Sequence, residues 1–306
     1  MCYSALIEAQ ADQLTRELDA RFDMLHMTGL LVRSDLPVEV PRLVLESLPD
    51  SDAAGKQCRQ LIAERQEKRT AVLDAKLKEL TGKLGVLSDE QSDHWTKTRE
   101  KQLLITERAI AKTKADKLRL ASPADVVEDA RIFPFTYAPI CLVEGGKRVI
   151  RCFRYQVRPR WADQEVDRKI NLYNARLDGL TSKKTWAPLY RHQHAVLVCK
   201  GFYEWVQDAA TGKSVTLRFV PDDKSSMLVP CLYERWRGKS GEVIESFAMI
   251  TTEPPPEVLA AGHDRCPVVI RPEDLNDWLN PQSCAPEHIG RILGAPHPVH
   301  FVAERA

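Results

Sequence analysis

The chain has 306 residues, 43% of them hydrophobic and 28% charged, enough apolar material for a buried core in one large domain or two small ones. Its 44 basic residues against 43 acidic ones leave a formal net charge of +1. This excludes a polycation that holds nucleic acid by bulk charge, so any basic site has to be local. No apolar run approaches the ~18 residues of a membrane span and no signal segment is recognisable, so a reducing cytoplasm is the expected home of the 8 cysteines.

The chain opens MCYSA. Methionine aminopeptidases remove Met1 when the next side chain is small, so the mature chain is expected to begin at Cys2 with a free α-amine. An α-amine titrates near ~8 and a thiol near ~8.5, which leaves two nucleophiles partly available on one residue at neutral pH. Such a pair attacks an acyl carbon through sulfur alone, or an aldehyde through both atoms to give first an imine and then a thiazolidine. The other cysteines, 58, 141, 152, 199, 231, 266 and 284, form no CxxC and no paired Cys/His zinc spacing and are expected to be small core residues.

Residues 50–122 have a helical texture. Leucines at 73, 77, 80, 84 and 87 repeat at 4-3-4-3 spacing among charged residues, the polar break SDEQSD follows, and a second charged stretch runs from His94 to Leu120 with Leu103, Leu104, Ile110 and Leu118. This predicts an antiparallel, coiled-coil-like hairpin, either packed on itself or serving as an arm for a partner. From Ile132 the pattern shortens to strands. Apolar runs at 195–199, 214–220, 226–233 and 246–252 are divided by DAATGK, PDDK and RGKSGE, and Gly145–Gly146 reads as a hairpin turn. Helix returns at RPEDLNDWL, with Pro272 at its first position. The expected fold is α+β: a mostly antiparallel, barrel-like β core with peripheral helices, interrupted by the helical hairpin.

Three polar stretches stand out against this core: YNAR at 173–176 with Lys183 and Lys184 behind it, KGFYEW at 200–205, and GHDRCPVVI at 262–270. Each alone reads as a turn, a strand end or a local ion pair. The pair His192 and His194 falls on one strand face with no third ligand in view, so no metal site is expected.

Together with Cys2, the order and spacing of NAR, GFYEW and HDRCPVVI resemble the SRAP family, the SOS-response-associated abasic-site processing proteins. The resemblance is weak over 2–24, moderate over 132–170 and good over 171–279, and the helical insertion is similar to that of extended relatives. Compact members begin Met-Cys-Gly-Arg where this chain has Tyr3 and Ser4. Their Asn-Val-Ala-Pro is TYAP here (136–139), and QVRPRW (156–161) keeps Pro159 and Trp161 of a further motif.

The resemblance implies one SRAP domain over 1–306 whose Cys2 amine and thiol close a thiazolidine on the aldehyde of an abasic site in single-stranded DNA, without a cofactor. It implies Asn174, Glu204 and His263 as the groups that orient and protonate. A carboxylate among aromatic rings and an imidazole suit proton transfer, and a neutral amide suits orientation. It places Arg176, Lys184, Arg265 and Thr252 at phosphates and Trp161 with Pro159 against bases. It further implies lyase-type, peptidase or hydrolase chemistry, and a monomer acting at the bacterial nucleoid. Two alternatives compete: an N-terminal cysteine amidohydrolase or autoprotease, which needs an acyl substrate and an oxyanion hole, and a coiled-coil interaction protein with an inert β domain.

Overall fold

In the computed structural model, residues 3–33, 38–89, 96–163, 166–208 and 211–306 are described. The strands are β1 (Ser4–Ile7), β2 (Arg21–Phe22), β3 (Arg131–Ile132), β4 (Tyr137–Glu144), β5 (Lys147–Tyr155), β6 (Asn174–Arg176), β7 (His194–Gln207), β8 (Ser214–Pro221), β9 (Met227–Arg237), β10 (Val243–Thr252), β11 (Cys266–Pro267) and β12 (Phe301–Arg305). The helices are α1 (Ala11–Leu18), α2 (Met24–Val32), α3 (Arg42–Ser47), α4 (Ala53–Ser88), α5 (Lys97–Ala121), α6 (Val166–Lys169), α7 (Pro256–Ala260), α8 (Leu275–Leu279) and α9 (Pro286–Gly294). None of them is long and apolar enough to cross a membrane.

Five strands close on themselves in the order β4-β5-β10-β9-β7 and back to β4. All of these contacts are antiparallel except β5 with β10. Closure removes the open edges of a sheet and encloses a core in which Phe153, Tyr155 and Phe247 are fully buried. Burying each such ring contributes about 2–3 kcal/mol, so the barrel is a rigid base for whatever its rim carries. The α+β architecture matches the sequence expectation. Gly145 and Gly146 take φ of 57° and 74° in the two-residue turn between Glu144 and Lys147, a conformation that glycine enters without strain.

One element is longer than the sequence suggested. The apolar run 195–199 and the GFYEW stretch lie on a single strand, β7. Its first half pairs with β9, and its second half pairs with β8 on one side and β1 on the other. The register slips at Lys200, where Leu6 faces Gly201 and Ile7 faces Cys199. A Cβ at Gly201 would stand 2.7 Å from the Phe219 carbonyl oxygen, so glycine is what lets β8 approach this closely. Past the slip, strand alternation puts Phe202 and Glu204 on one face and Tyr203 and Trp205 on the other.

Residues Asp50–Asp125 form a compact unit of their own. Asp52 caps α4 by accepting from the Gly55 N–H at 2.7 Å, and Thr96 caps α5 through the Arg99 N–H at 3.2 Å. The Arg99 side chain donates to the Leu87 carbonyl in the last turn of α4 at 2.9 Å and to that of Asp89 just beyond it at 2.8 Å, and Lys117 pairs with Asp74 across the two helices. Leu73, Leu77, Leu80, Leu84 and Leu87 are all partly covered, as a single stripe requires. Of the apolar residues noted on the second stretch, Leu104 and Leu118 are 47% and 70% exposed and lie off the covered face of α5. Buried Thr106 and Thr113 stand there instead, with Leu103 and Ile110, because each threonine hydroxyl donates to the carbonyl four residues back and is satisfied within the helix. The expected helix start at His94, and most of the polar break before it, lie outside the described residues.

Candidate active site

The N-terminal strand β1 is held between β7 and β3, with Ser4 opposite Tyr203 and Ala5 opposite Ile132. Ser4 is fully buried, and its hydroxyl accepts from Arg131 Nη2 at 2.9 Å and Nε at 3.1 Å. The guanidinium carbon lies 3.6 Å from the Tyr203 ring centre and 4.7 Å from that of Phe133. Burial pulls the Arg131 pKa below its ordinary value and raises that of Tyr203, both without changing the charge at neutral pH. Tyr3 stacks on Trp205 with ring centres 4.7 Å apart and meets Phe133 and Tyr173 edge-on at 5.9 and 6.1 Å. An aromatic collar with a cation in it therefore surrounds the backbone immediately after Cys2. Cys2 itself lies outside the described residues.

Glu204 is 3% exposed, so it is a buried strand residue and not the solvated one that its surroundings in sequence allowed. Its Oε2 lies 3.0 Å from Nε2 of His263, itself 8% exposed. His263 reaches this position because Gly262, at φ 96°, turns the chain after α7 and packs against Val206 of β7. The other imidazole nitrogen, Nδ1, is 2.9 Å from the Arg265 carbonyl oxygen and 3.3 Å from the Arg265 N–H. This arrangement can hold one proton in two ways. The carboxyl can carry it and donate to Nε2, or Nε2–H can donate to the carboxylate, with Nδ1–H donating to the Arg265 carbonyl in both cases. Glu204 and His263 thus meet as a buried carboxyl–imidazole pair able to share a proton, a contact that sequence distance concealed.

Asn174 opens β6, which runs parallel to β10 with Asn174 beside Met249, and it is 7% exposed. The Tyr155 hydroxyl donates to its Oδ1 at 3.3 Å, which fixes the orientation of the amide. The end of β10 is the meeting point of the next pieces: Thr251 pairs with Arg176 of β6 on one side and with Pro267 of β11 on the other, and Thr252 pairs with Cys266. Arg176 and Arg265 are thereby brought to one place. Arg176 donates to both oxygens of Asp178 at 3.2 and 3.0 Å, and Arg265 lies 4.0 Å from the same carboxylate. Asp178 escaped the sequence reading, although a carboxylate two residues beyond NAR was visible.

Four expected contacts remain, of which Lys184 and Trp161 meet each other. Lys184 Nζ stands 4.9 Å from the centre of the Trp161 ring, which is 42% exposed and so open to stacking. Pro159 is buried, and its carbonyl accepts from the Ala162 N–H at 2.9 Å, so it shapes the turn that presents Trp161 and offers no surface of its own. Thr252 is partly exposed at the end of β10. The thiols of Cys141 and Cys266 are pushed up to about 12 by burial, and those of Cys199 and Cys231 are pushed higher still, so these four stay protonated and poorly nucleophilic.

The sequence pattern of the SOS response associated peptidase (SRAP) family matches residues 87–304. Over 152 residues the chain is 27% identical to the abasic site processing protein YoqW of Bacillus subtilis, a stretch that covers 49% of this chain and 66% of that one. It is 24% identical over 158 residues to the abasic site processing protein HMCES of Gallus gallus, covering 45% of this chain and 47% of that protein. The chain therefore spans between about half and just under two thirds of the curated relatives it matches. A crystal structure of a protein from Bordetella bronchiseptica shares the fold, with a TM-score of 0.50 and 22% identity over 58% of this chain and 87% of that one. The family span contains Asn174, Glu204, His263 and every residue expected at DNA, and it begins beyond Cys2.

Proposed function

The chain belongs to the SRAP family, and from that premise we propose that it processes abasic sites by linking Cys2 covalently to the ring-opened sugar aldehyde in single-stranded DNA. The observation that carries this reading is the buried Glu204–His263 pair at 3.0 Å, with Glu204 on the strand that also holds β1 in place two residues after Cys2. An aldehyde condenses with the α-amine to an imine with loss of one water. The thiol then adds across the C=N bond, so no further atom leaves and a five-membered thiazolidine results. Met1 removal is a requirement, because a peptide nitrogen cannot form the imine.

Each residue has work that its surroundings support. Glu204 and His263 move protons to and from the carbinolamine and the sugar oxygen, because the pair holds one proton in either of two arrangements. Asn174, oriented by Tyr155, positions the Cys2 amine or a sugar hydroxyl. Arg176, Arg265 and Thr252 meet phosphate near the lesion, and Trp161 with Lys184 receives a neighbouring base and its phosphate. The same proton pair would serve reversal of the crosslink and strand cleavage through the imine. The protein acts as a monomer at the bacterial nucleoid, and the helical hairpin is dispensable for the chemistry.

The test is mass spectrometry of the product with a single-stranded oligonucleotide carrying one abasic site. The expected adduct has the mass of the chain without Met1 plus the oligonucleotide less one water, and it survives heating without reductant. An adduct that forms only after borohydride reduction, or one that retains Met1, would contradict the thiazolidine.

A further inference from the structure

Asp178 occupies the point at which two of the proposed DNA-binding arginines converge. Arg176 grips it with a two-pronged pair at 3.2 and 3.0 Å, and Arg265 approaches the same Oδ2 to 4.0 Å. The arginines arrive from opposite edges of β10, one from β6 and one from the loop before β11, so the backbone brings them together without needing the carboxylate. Asp178 is 62% exposed, Arg176 42% and Arg265 only 11%, which means the cluster faces solvent over a partly buried cation. An exposed pair such as Arg176–Asp178 contributes little to stability, so stability does not account for a third charge placed there. A carboxylate and a phosphodiester offer a guanidinium the same thing, one negative charge spread over two oxygens in a plane that matches its fork.

We propose that Asp178 is a specificity-determining residue whose carboxylate holds, in the DNA-free protein, the place that a backbone phosphate takes beside the lesion. The inference rests on the abasic-site reading. An incoming phosphate must displace Asp178 from both arginines or share them with it at the cost of like-charge repulsion. Either way the gain from the two guanidiniums is largely cancelled. Intact single strands, which offer phosphates and no aldehyde, are therefore held weakly, and residence on DNA depends on the covalent step at a lesion.

The experiment is fluorescence anisotropy of a labelled, undamaged polythymidine oligonucleotide titrated with wild-type protein, Asp178→Asn and Asp178→Ala between 50 and 200 mM salt, alongside gel crosslinking to an abasic oligonucleotide. Both variants are expected to bind the intact strand roughly three- to tenfold more tightly at the low-salt end, with a slope of log Kd against log salt steeper by about 0.7, the value for one more phosphate contact on a single strand. Affinity unchanged or weakened in both variants would overturn the inference and make Asp178 a simple organiser of the arginines. Agreement of Asn with Ala excludes a folding artefact in either. Wild-type protein that fails to crosslink would instead sink the abasic-site reading, while the anisotropy comparison would still decide the role of Asp178.

Discussion

Replacing Glu204 with Gln removes the charge and the exchangeable proton while keeping shape. Glu204 and His263 are 3% and 8% exposed and 3.0 Å apart, so the pair is screened by little water. The amide can still bond the imidazole, which limits the structural loss to the difference between a charged and a neutral hydrogen bond, about 1–2 kcal/mol and a few degrees in Tm. The loss in rate should be larger. Positioned acid–base help is worth about 10²–10⁴, and because water at the rim can replace part of it, the expected fall in crosslinking is about hundredfold. Single-turnover crosslinking to an abasic oligonucleotide, quenched over time and resolved on a denaturing gel, measures this directly, with the final yield unchanged. His263→Gln should give a similar rate, and the double variant should be no slower than the slower single one, since one unit is lost either way. Wild-type rates in Glu204→Gln, or fully additive losses, would refute the pair as the proton carrier.

Further outcomes follow from the same structure. Gly201→Ala pushes a methyl to 2.7 Å from the Phe219 oxygen, so β8 must move; a loss of about 1–3 kcal/mol in urea unfolding is expected, with slower crosslinking because Glu204 lies three residues on. Stability should be greatest between about pH 6.5 and 9. His194, depressed to about 3 by burial, stays neutral in the fold and protonates on unfolding, so stability falls as pH drops below its unfolded value. Cys141 and Cys266, raised to about 12, stay protonated in the fold and ionise on unfolding, so stability also falls as pH climbs past about 9, by up to about 1.4 kcal/mol per pH unit for each group; thermal melts across pH check both limbs. Brief alkylation of the native protein at pH 8 should label Cys2 first and leave Cys141, Cys199, Cys231 and Cys266 unmodified, as peptide mass mapping would show. Excising residues 50–122 with a short Gly–Ser joint should leave crosslinking intact; its loss would give the hairpin a part in the chemistry.

What the sequence disclosed were features carried by local pattern. The Gly145–Gly146 turn, the leucine stripe of α4 and Pro272 at the start of its helical turn are each written in a few neighbouring residues, and a barrel-like β core followed from short apolar runs between turns. Face assignment on α5 was harder, because Thr106 and Thr113 hide their polarity in bonds to the preceding turn and so occupy positions that a hydrophobic pattern reserves for leucine. GFYEW read as a polar stretch because aromatic rings lie on both faces of β7 there, which erases the alternation that marks a half-buried strand. Glu204 and His263 were each singled out for proton transfer, yet their contact spans β7 and the loop after α7 and only the folded chain makes it. The same is true of Arg131 reaching Ser4 and of Arg265 reaching Asp178.

The covalent chemistry proposed for this protein rests on residue 2. Wild-type protein and Cys2→Ala, each confirmed by mass to have lost Met1, are mixed with a single-stranded oligonucleotide bearing one abasic site and run on a denaturing gel after heating. A heat-stable, slowly migrating protein–DNA band is expected with the wild type and none with Cys2→Ala. A band of equal intensity in both lanes would contradict it.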